Sequence, residues 1–394
     1  MRMIIGVTVV LAALILPAQV VNDQWRPDEG SVTYVVPILD LAVMTPKELA
    51  MHYFTNLARM GYDCGTPALE CGASASLPIL SLDLKLSTAA RWFSKHLNDT
   101  PCFQHDTCCV LTLAGDEVTC VAGTACTDQP CDSTQCTGTY WVERIALFGA
   151  NTTAENLAAG NELAGSSLCQ LMNSPGHRTN ICTPTNTSLG VGYHAGENCW
   201  RHYWTQDFGA GSQAGRLYPG ALFIDDTLRA GIVVKSVSPV HTAKVTIDSV
   251  PTALENTFGT DTRGAWSGPV TAAECASYFF TVSFNDGKEE RFPPTGYLFN
   301  SENPVECEAP DGTPDSDITP PDTDNAGDPD DGQPDSAEQP DPDLPDDDVT
   351  IPYDFSPKDE DHPAPDYGST DWDYIPPDGG YTHKDTGCGC ALIL

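Results

Sequence analysis

Sixteen cysteines, placed behind an apolar amino-terminal segment, constrain this chain more than any other feature. The opening "MRMIIGVTVVLAALILPAQVV" has one early arginine, an apolar run from Met3 to Pro17 and a small residue at Ala18. That is the pattern of a secretory signal covering residues 1–18, since the run is shorter than the roughly 18–20 residues that span a bilayer. An exported chain meets an oxidising compartment, where cysteines persist as disulfides. No CxxC pair recurs at zinc-ribbon spacing, and Cys102, Cys108, Cys109, Cys120, Cys126, Cys131 and Cys136 crowd one insert at about 102–136. If Cys169 and Cys182 pair with each other, they close a loop worth roughly 3 kcal/mol; each can equally bridge elsewhere.

The net charge of −36 is uneven. Residues 308–387 hold 25 acidic side chains against Lys358 and Lys384, so most of the excess belongs to this segment. Its Asp, Pro, Gly and Ser offer too little apolar surface to offset ordering, which predicts a disordered, extended acidic linker. The window "DTDNAGDPDDGQPD" fails as an EF-hand, because Ala326 and Gln333 stand where an oxygen ligand and a glutamate are needed. With no basic patch, a nucleic-acid partner is not expected. Residues 388–394 carry Cys388-Gly-Cys390, which resembles the start of the sorting signals of some myxobacterial exported proteins, without their apolar run and basic cluster. Asn98, Asn151 and Asn186 stand in glycosylation sequons that matter only in a eukaryote.

Between these ends the pattern changes twice. "TPKELAMHYFTNLARMG" predicts a helix with a Thr45–Glu48 capping box, Pro46 at its first position and Leu49, Tyr53, Leu57 and Met60 on one face. "LSTAARWFSKHL" predicts a second, burying Leu86, Ala89, Ala90, Phe93 and Leu97. The cysteine-rich insert reads either as a cross-linked loop or as a segment that narrows a neighbouring cleft or supplies a partner-binding surface, with Trp141 and Arg144 facing outward nearby; after it, a helix through Leu163, Leu168, Leu171 and Met172 stops at Ser174-Pro175-Gly176. Two strands follow, "SLGVGYHAG" and "CWRHYWTQDFG", turning at Ala195-Gly196-Glu197-Asn198, with Trp200, Trp204 and Phe208 toward one face. A layered α+β domain over 40–212 results. Residues 215–307 are β-rich, with an Asn-Asp-Gly turn, and read as a small all-β sandwich stapled by Cys275 and Cys307, a spacer rather than a binding domain.

The candidate chemistry lies at His105 in "CFQHDTC", Glu155 in "TAENLAAG" and His177 in "NSPGHRTN". Singly these read as a loop histidine, a glutamate in a helical first turn and a turn histidine. Together, the ordered segments "NLAR", "LSTAARWFSKHL" with "CFQH", "ERIALFGA" with "AENLAAG", "LMNSPGHRTNI" and "LGVGYHAGENCWRHYWTQDFG" resemble the CAP superfamily of cysteine-rich secretory, antigen five and pathogenesis-related-one proteins, closest to bacterial secreted members. The resemblance implies an α-β-α sandwich with a cleft formed by His105, Glu155 and His177. A second family glutamate falls at Ser174 here, and Ala154 replaces the glycine before Glu155. It also implies that His105 and His177 can hold a divalent cation such as zinc, Glu155 acting through water, with occupancy falling as pH drops through about 6.5. The function implied is a non-catalytic secreted or surface-displayed binding module for a small apolar ligand, an envelope component or a protein partner. The alternative is a metal-dependent peptidase with Glu155 as base, although no HExxH or GxSxG is present.

Overall fold

In the computed structural model, the residues described are 31–310, apart from 36–38, 63, 65–70, 72–76, 101–102, 116, 123–137, 198–199, 212–214 and 225–226. The signal segment, the acidic linker and the Cys388-Gly-Cys390 terminus lie outside them. Strand β1 (Ser31–Val35) is followed by helix α1 (Pro46–Arg59). The capping box forms as expected: the Thr45 hydroxyl accepts from the Glu48 N–H, and a Glu48 oxygen accepts from the Thr45 N–H. Glu48 is fully buried, and its carboxylate also receives Arg91, with Nε donating to Oε1 at 2.7 Å and Nη2 to Oε2. One side chain thus starts α1 and ties it to the next helix.

A short strand β2 (Ser81–Leu82) leads into α2 (Leu84–Asp99), capped by Asp83. Leu86, Ala89, Ala90, Phe93 and Leu97 are all buried, as the periodicity predicts. The cysteine-rich insert is not simply a loop, for its described part folds as a hairpin of β3 (Cys109–Ala114) and β4 (Glu117–Ala122), with β1 pairing β4. Alternation explains it: Cys109, Leu111, Val118 and Cys120 point inward while Val110 and Val121 face solvent. Then come α3 (Trp141–Leu147), β5 (Ala154–Ala159), α4 (Ala164–Asn173), α5 (Pro175–Cys182), β6 (Ser188–Ala195) and β7 (His202–Gly209). The β6–β7 connection spans 196–201, longer than the four-residue turn expected, and places Trp200 before the strand.

Strands β2, β6, β7 and β5 form one sheet in that order, with β2 parallel to β6 and the other pairs antiparallel. Leu189, Val191, Trp204 and Phe208 join the core beneath α1 and α4, while Leu157 and Tyr203 join the core beneath α2 and α3. The arrangement is the expected α-β-α sandwich. On the α2 side, β6 presents glycine: a Cβ at Gly190 would lie 2.2 Å from the Leu86 carbonyl carbon, and one at Gly192 would lie 2.1 Å from that of Ala90. Helix and strand backbones therefore touch where no side chain fits.

Disulfides join Cys64 to Cys169 and Cys71 to Cys182. Cys169 and Cys182 therefore do not pair with each other; they clamp α4 and α5 to the segment after α1. Arg59 reinforces the clamp, donating from buried nitrogens to the carbonyls of Pro78, Ile181, Thr183 and Asn186 at 2.5–3.0 Å.

The remaining strands, β8 (Ala221–Ile224), β9 (Leu228–Lys235), β10 (Val240–Ile247), β11 (Val250–Thr260), β12 (Arg263–Pro269), β13 (Ser277–Phe284), β14 (Glu289–Phe292) and β15 (Leu298–Phe299), bear out the all-β reading. They pair as one antiparallel path, β14-β13-β10-β11-β12-β9-β8, with β15 against β13. Bulges at Val240/Thr242 and Asn256/Phe258 curl the sheet. The Asn-Asp-Gly turn joins β13 to β14, and Cys275 bonds Cys307 as expected. The sheet is welded to the sandwich: Tyr53 of α1 stacks on Phe223 of β8 at 5.2 Å, Phe54 meets the same ring edge-on at 5.0 Å, and Arg263 donates to the Leu77 carbonyl at 2.6 Å.

Two measurements test this packing. Gly192→Val forces α2 off β6 and lowers unfolding stability in urea by about 3 kcal/mol, the upper part of the usual overpacking range; an unchanged midpoint refutes the close contact. Burial lowers the pKa of His52 to about 4 and that of His96 to about 3, from an ordinary 6.5. The unfolded chain therefore takes up protons that the folded chain refuses, so this stability is complete above about pH 6.5 and erodes as pH falls toward 4. The melting temperature accordingly drops between pH 7.5 and 4.5, and it drops less in His96→Phe.

Candidate functional site

Strand β5 is the edge of the four-stranded sheet, so side chains from both helical layers can reach it. Asn156 points toward α1, accepts from Asn180 of α5 at 2.9 Å and donates to the His177 carbonyl at 3.2 Å; Asn180 also donates to the Glu155 carbonyl at 3.2 Å. The Asn156 amide also donates to Gln206 Oε1, and Gln206 donates to Thr55 Oγ1 at 2.8 Å. This amide chain fixes α5 against the sheet edge. His177 therefore lies on a helix rather than a turn, because Pro175 at the first position of α5 restarts a helix where Ser174 ends α4. Ser174 caps both helices through its backbone.

On the opposite face stands Glu155. It is a strand residue, not the start of a helix, and its side chain is 1% exposed. Oε1 is 2.8 Å from Nδ1 of His105, and Oε2 accepts from Nη2 of Arg144. Arg144 was expected to face outward; its side chain is in fact wholly buried, because α3 turns this residue toward the sheet. The guanidinium lies 3.3 Å from the centroid of the Phe93 ring, and Nη1 donates to the His105 carbonyl at 2.9 Å. Trp141 is half-buried, with its backbone N–H donating to Asp106 Oδ1 at 3.3 Å. His105 is thus held twice, by its ring through Glu155 and by its backbone through Arg144.

Asp207 of β7 pairs with Glu155 across the β5–β7 ladder and is fully buried. Neither of its oxygens meets a well-aligned donor among the described residues, and its polar neighbour is the Glu155 carboxylate, a setting hostile to a second carboxylate. Burial and the adjacent Glu155 charge hold the Asp207 carboxyl well above the usual range, so it stands as a neutral acid. Burial also pushes Glu155 up, but Arg144 and the bond to His105 outweigh it, and Glu155 stays ionised. Burial and the nearby His105 depress His177 to about 4.

The structure therefore brings His105 and Glu155 into direct contact, carries His177 on α5, where His105 contributes to its lowered pKa, and leaves Ser174 at the helix junction. Arg144 and Asp207 complete the group. Asp207 had a readable signal, for with Trp204 and Phe208 on one face it must fall on the other, as a charged residue inside a doubly covered strand. Arg144 had only helical phase, too short a cue over seven residues.

Helices on both faces of a four-stranded sheet, with an imidazole–carboxylate–guanidinium group at the sheet edge, make an α-β-α sandwich. The family "CAP: Cysteine-rich secretory protein family" matches residues 52–208, and that part of the chain is a CAP domain of this family. Among solved structures, an extracellular protein containing an SCP domain from Bacillus anthracis strain Ames is similar at 22% identity and a TM-score of 0.26, covering 40% of this chain and 38% of its own. The chain thus spans well under half of that protein's length. No curated protein matches the chain. The CAP domain and the four disulfides among the described residues are those of an extracellular-type protein. No described helix is long and apolar enough to cross a membrane.

Arg144→Met leaves Glu155 as a buried, uncompensated carboxylate and lowers stability by about 3–5 kcal/mol. Asp207→Asn, replacing a neutral acid by a neutral amide of the same shape, costs much less. Urea unfolding of the two variants side by side checks the assignment; equal losses refute the neutral state of Asp207.

Proposed function

We propose that the chain is a secreted, non-catalytic CAP-domain binding module, and that His105 and His177 form a weak, open site for a divalent cation such as zinc beside the surface where an extracellular ligand docks. The observation that carries this reading is the enclosure of Glu155: its side chain is 1% exposed, with one oxygen engaged by His105 and the other by Arg144. A carboxylate so enclosed orients an imidazole and is poorly placed as a general base, which must reach the reacting water. That counts against the peptidase alternative.

The donor set fits a borderline ion. Glu155 engages Nδ1 of His105, so coordination falls to Nε2, the arrangement in which a carboxylate sets the tautomer of a liganding histidine. His177 stays neutral down to about pH 4, so its lone pair remains available well below the 6.5 of an ordinary imidazole. A metal bound there supplies Lewis acidity toward a carbonyl or phosphoryl oxygen. Glu155 and Arg144 hold the His105 ring in place, and the amide chain through Asn156 and Asn180 holds α5. Two imidazoles without a third protein ligand favour reversible binding over a permanent cofactor.

The small apolar ligand, envelope component or protein partner belongs to the same proposal. Zinc titration of the purified chain by calorimetry tests the site. Weak binding at pH 7 is expected, with at least tenfold loss in His105→Ala and in His177→Ala and a smaller loss in Glu155→Gln. Equal binding by all four proteins overturns the metal site. Turnover of a peptide library that disappears in His177→Ala moves the assignment to a hydrolase.

A further inference from the structure

The corner where α2 ends against the β3–β4 hairpin gathers side chains that the candidate site does not use. Cys109 and Cys120 lie on the buried face of the hairpin and are joined by a disulfide, with Cα atoms 5.4 Å apart. His96, in the last turn of α2, is 3% exposed. One of its ring nitrogens and the two sulfurs lie within 4.8 Å of one another, and no other trio of His, Cys, Asp or Glu donors among the described residues does so. Stacking on Trp92 at 5.0 Å and on Phe93 at 5.8 Å holds the ring. Nε2 accepts from the Cys108 N–H at 3.3 Å, so the neutral ring carries its proton on Nδ1 and directs its lone pair toward the start of β3. Nδ1 is buried and has no hydrogen-bond partner among the described residues. A phenylalanine would leave the buried Cys108 N–H without an acceptor; the imidazole satisfies it and at the same time sets a ring nitrogen beside two sulfurs.

We propose that opening the Cys109–Cys120 bridge turns this corner into a buried metal site, in which the two thiolates and the His96 imidazole hold a borderline divalent ion such as zinc. Bridge and ion are alternatives, because they use the same sulfurs. A dithiol opens the bridge: the S–S bond takes two electrons and two protons and becomes two thiols, while the reductant's sulfurs join as a disulfide. The ion then displaces both thiol protons and takes the Nε2 lone pair that had accepted from the Cys108 N–H. Two thiolates cancel its charge and the imidazole adds none, so the filled site is neutral, as a buried site requires. Sulfur with nitrogen selects zinc-like ions over calcium or magnesium, and water completes the shell. The outer face of the hairpin is exposed at Val110 and Val121, so the site lies one strand from solvent.

The test uses the full chain, reduced anaerobically by a dithiol, desalted and titrated with cobalt(II) as a spectroscopic substitute for zinc. Thiolate-to-cobalt charge transfer and tetrahedral ligand-field bands are expected in the reduced protein and not in the oxidised one. Cobalt should slow the alkylation of Cys109 and Cys120, read by peptide mapping, while cysteines outside the corner react as before. His96→Gln, which keeps both sulfurs, should weaken cobalt binding at least tenfold. The proposal is overturned if Cys109 and Cys120 alkylate equally fast with and without cobalt, or if His96→Gln binds as wild type does. The mapping needs no variant, so a misfolded mutant cannot mask the answer.

Discussion

The Arg144 guanidinium, buried between the Phe93 ring and the Glu155 carboxylate, is the interaction on which the sheet edge depends. It neutralises an anion that could not otherwise remain ionised there, and through Glu155 and the His105 carbonyl it positions one imidazole. It also sets the protonation of the neighbouring acid: with one cation for two buried carboxyls, Glu155 keeps the charge and Asp207 the proton. Such a group is costly to break and adds little net stability over an apolar replacement. Its persistence here is better explained by geometry at His105 than by folding energy.

Much of the sandwich was legible because its signals are local. The Thr45–Glu48 box, the apolar faces of α1 and α2 and the proline-led stop after Asn173 each depend on residues within one or two turns. What misled was context. Glu155 looks like a first-turn helical acid, yet pairing of β5 with β7 makes it a strand residue. His177 follows a helix stop that is also a helix start. The β3–β4 hairpin has an alternating pattern hidden by its cysteines, which drew attention to cross-linking rather than to the sheet.

The site divides in the same way. His105, Glu155 and His177 could be found only through family resemblance, since 50 and 22 residues separate consecutive members. Arg144 and Asp207 required the fold, because what matters about them is burial beside Glu155, and no sequence spacing encodes that. Cysteine partners were equally hidden: Cys169 and Cys182 are near neighbours in sequence, but each bonds a cysteine more than a hundred residues earlier.

Those two long bridges change what a cut in the chain means. Cys64 and Cys71 precede α2, the β3–β4 hairpin, α3 and β5, whereas Cys169 and Cys182 follow them. A single proteolytic cleavage anywhere between Cys71 and Cys169 leaves two pieces that remain covalently one molecule. The long cysteine-rich insert lies wholly inside that interval. The domain can therefore be clipped there and still hold α1, which precedes the first bridge, together with the helix that carries His177, which the second bridge secures.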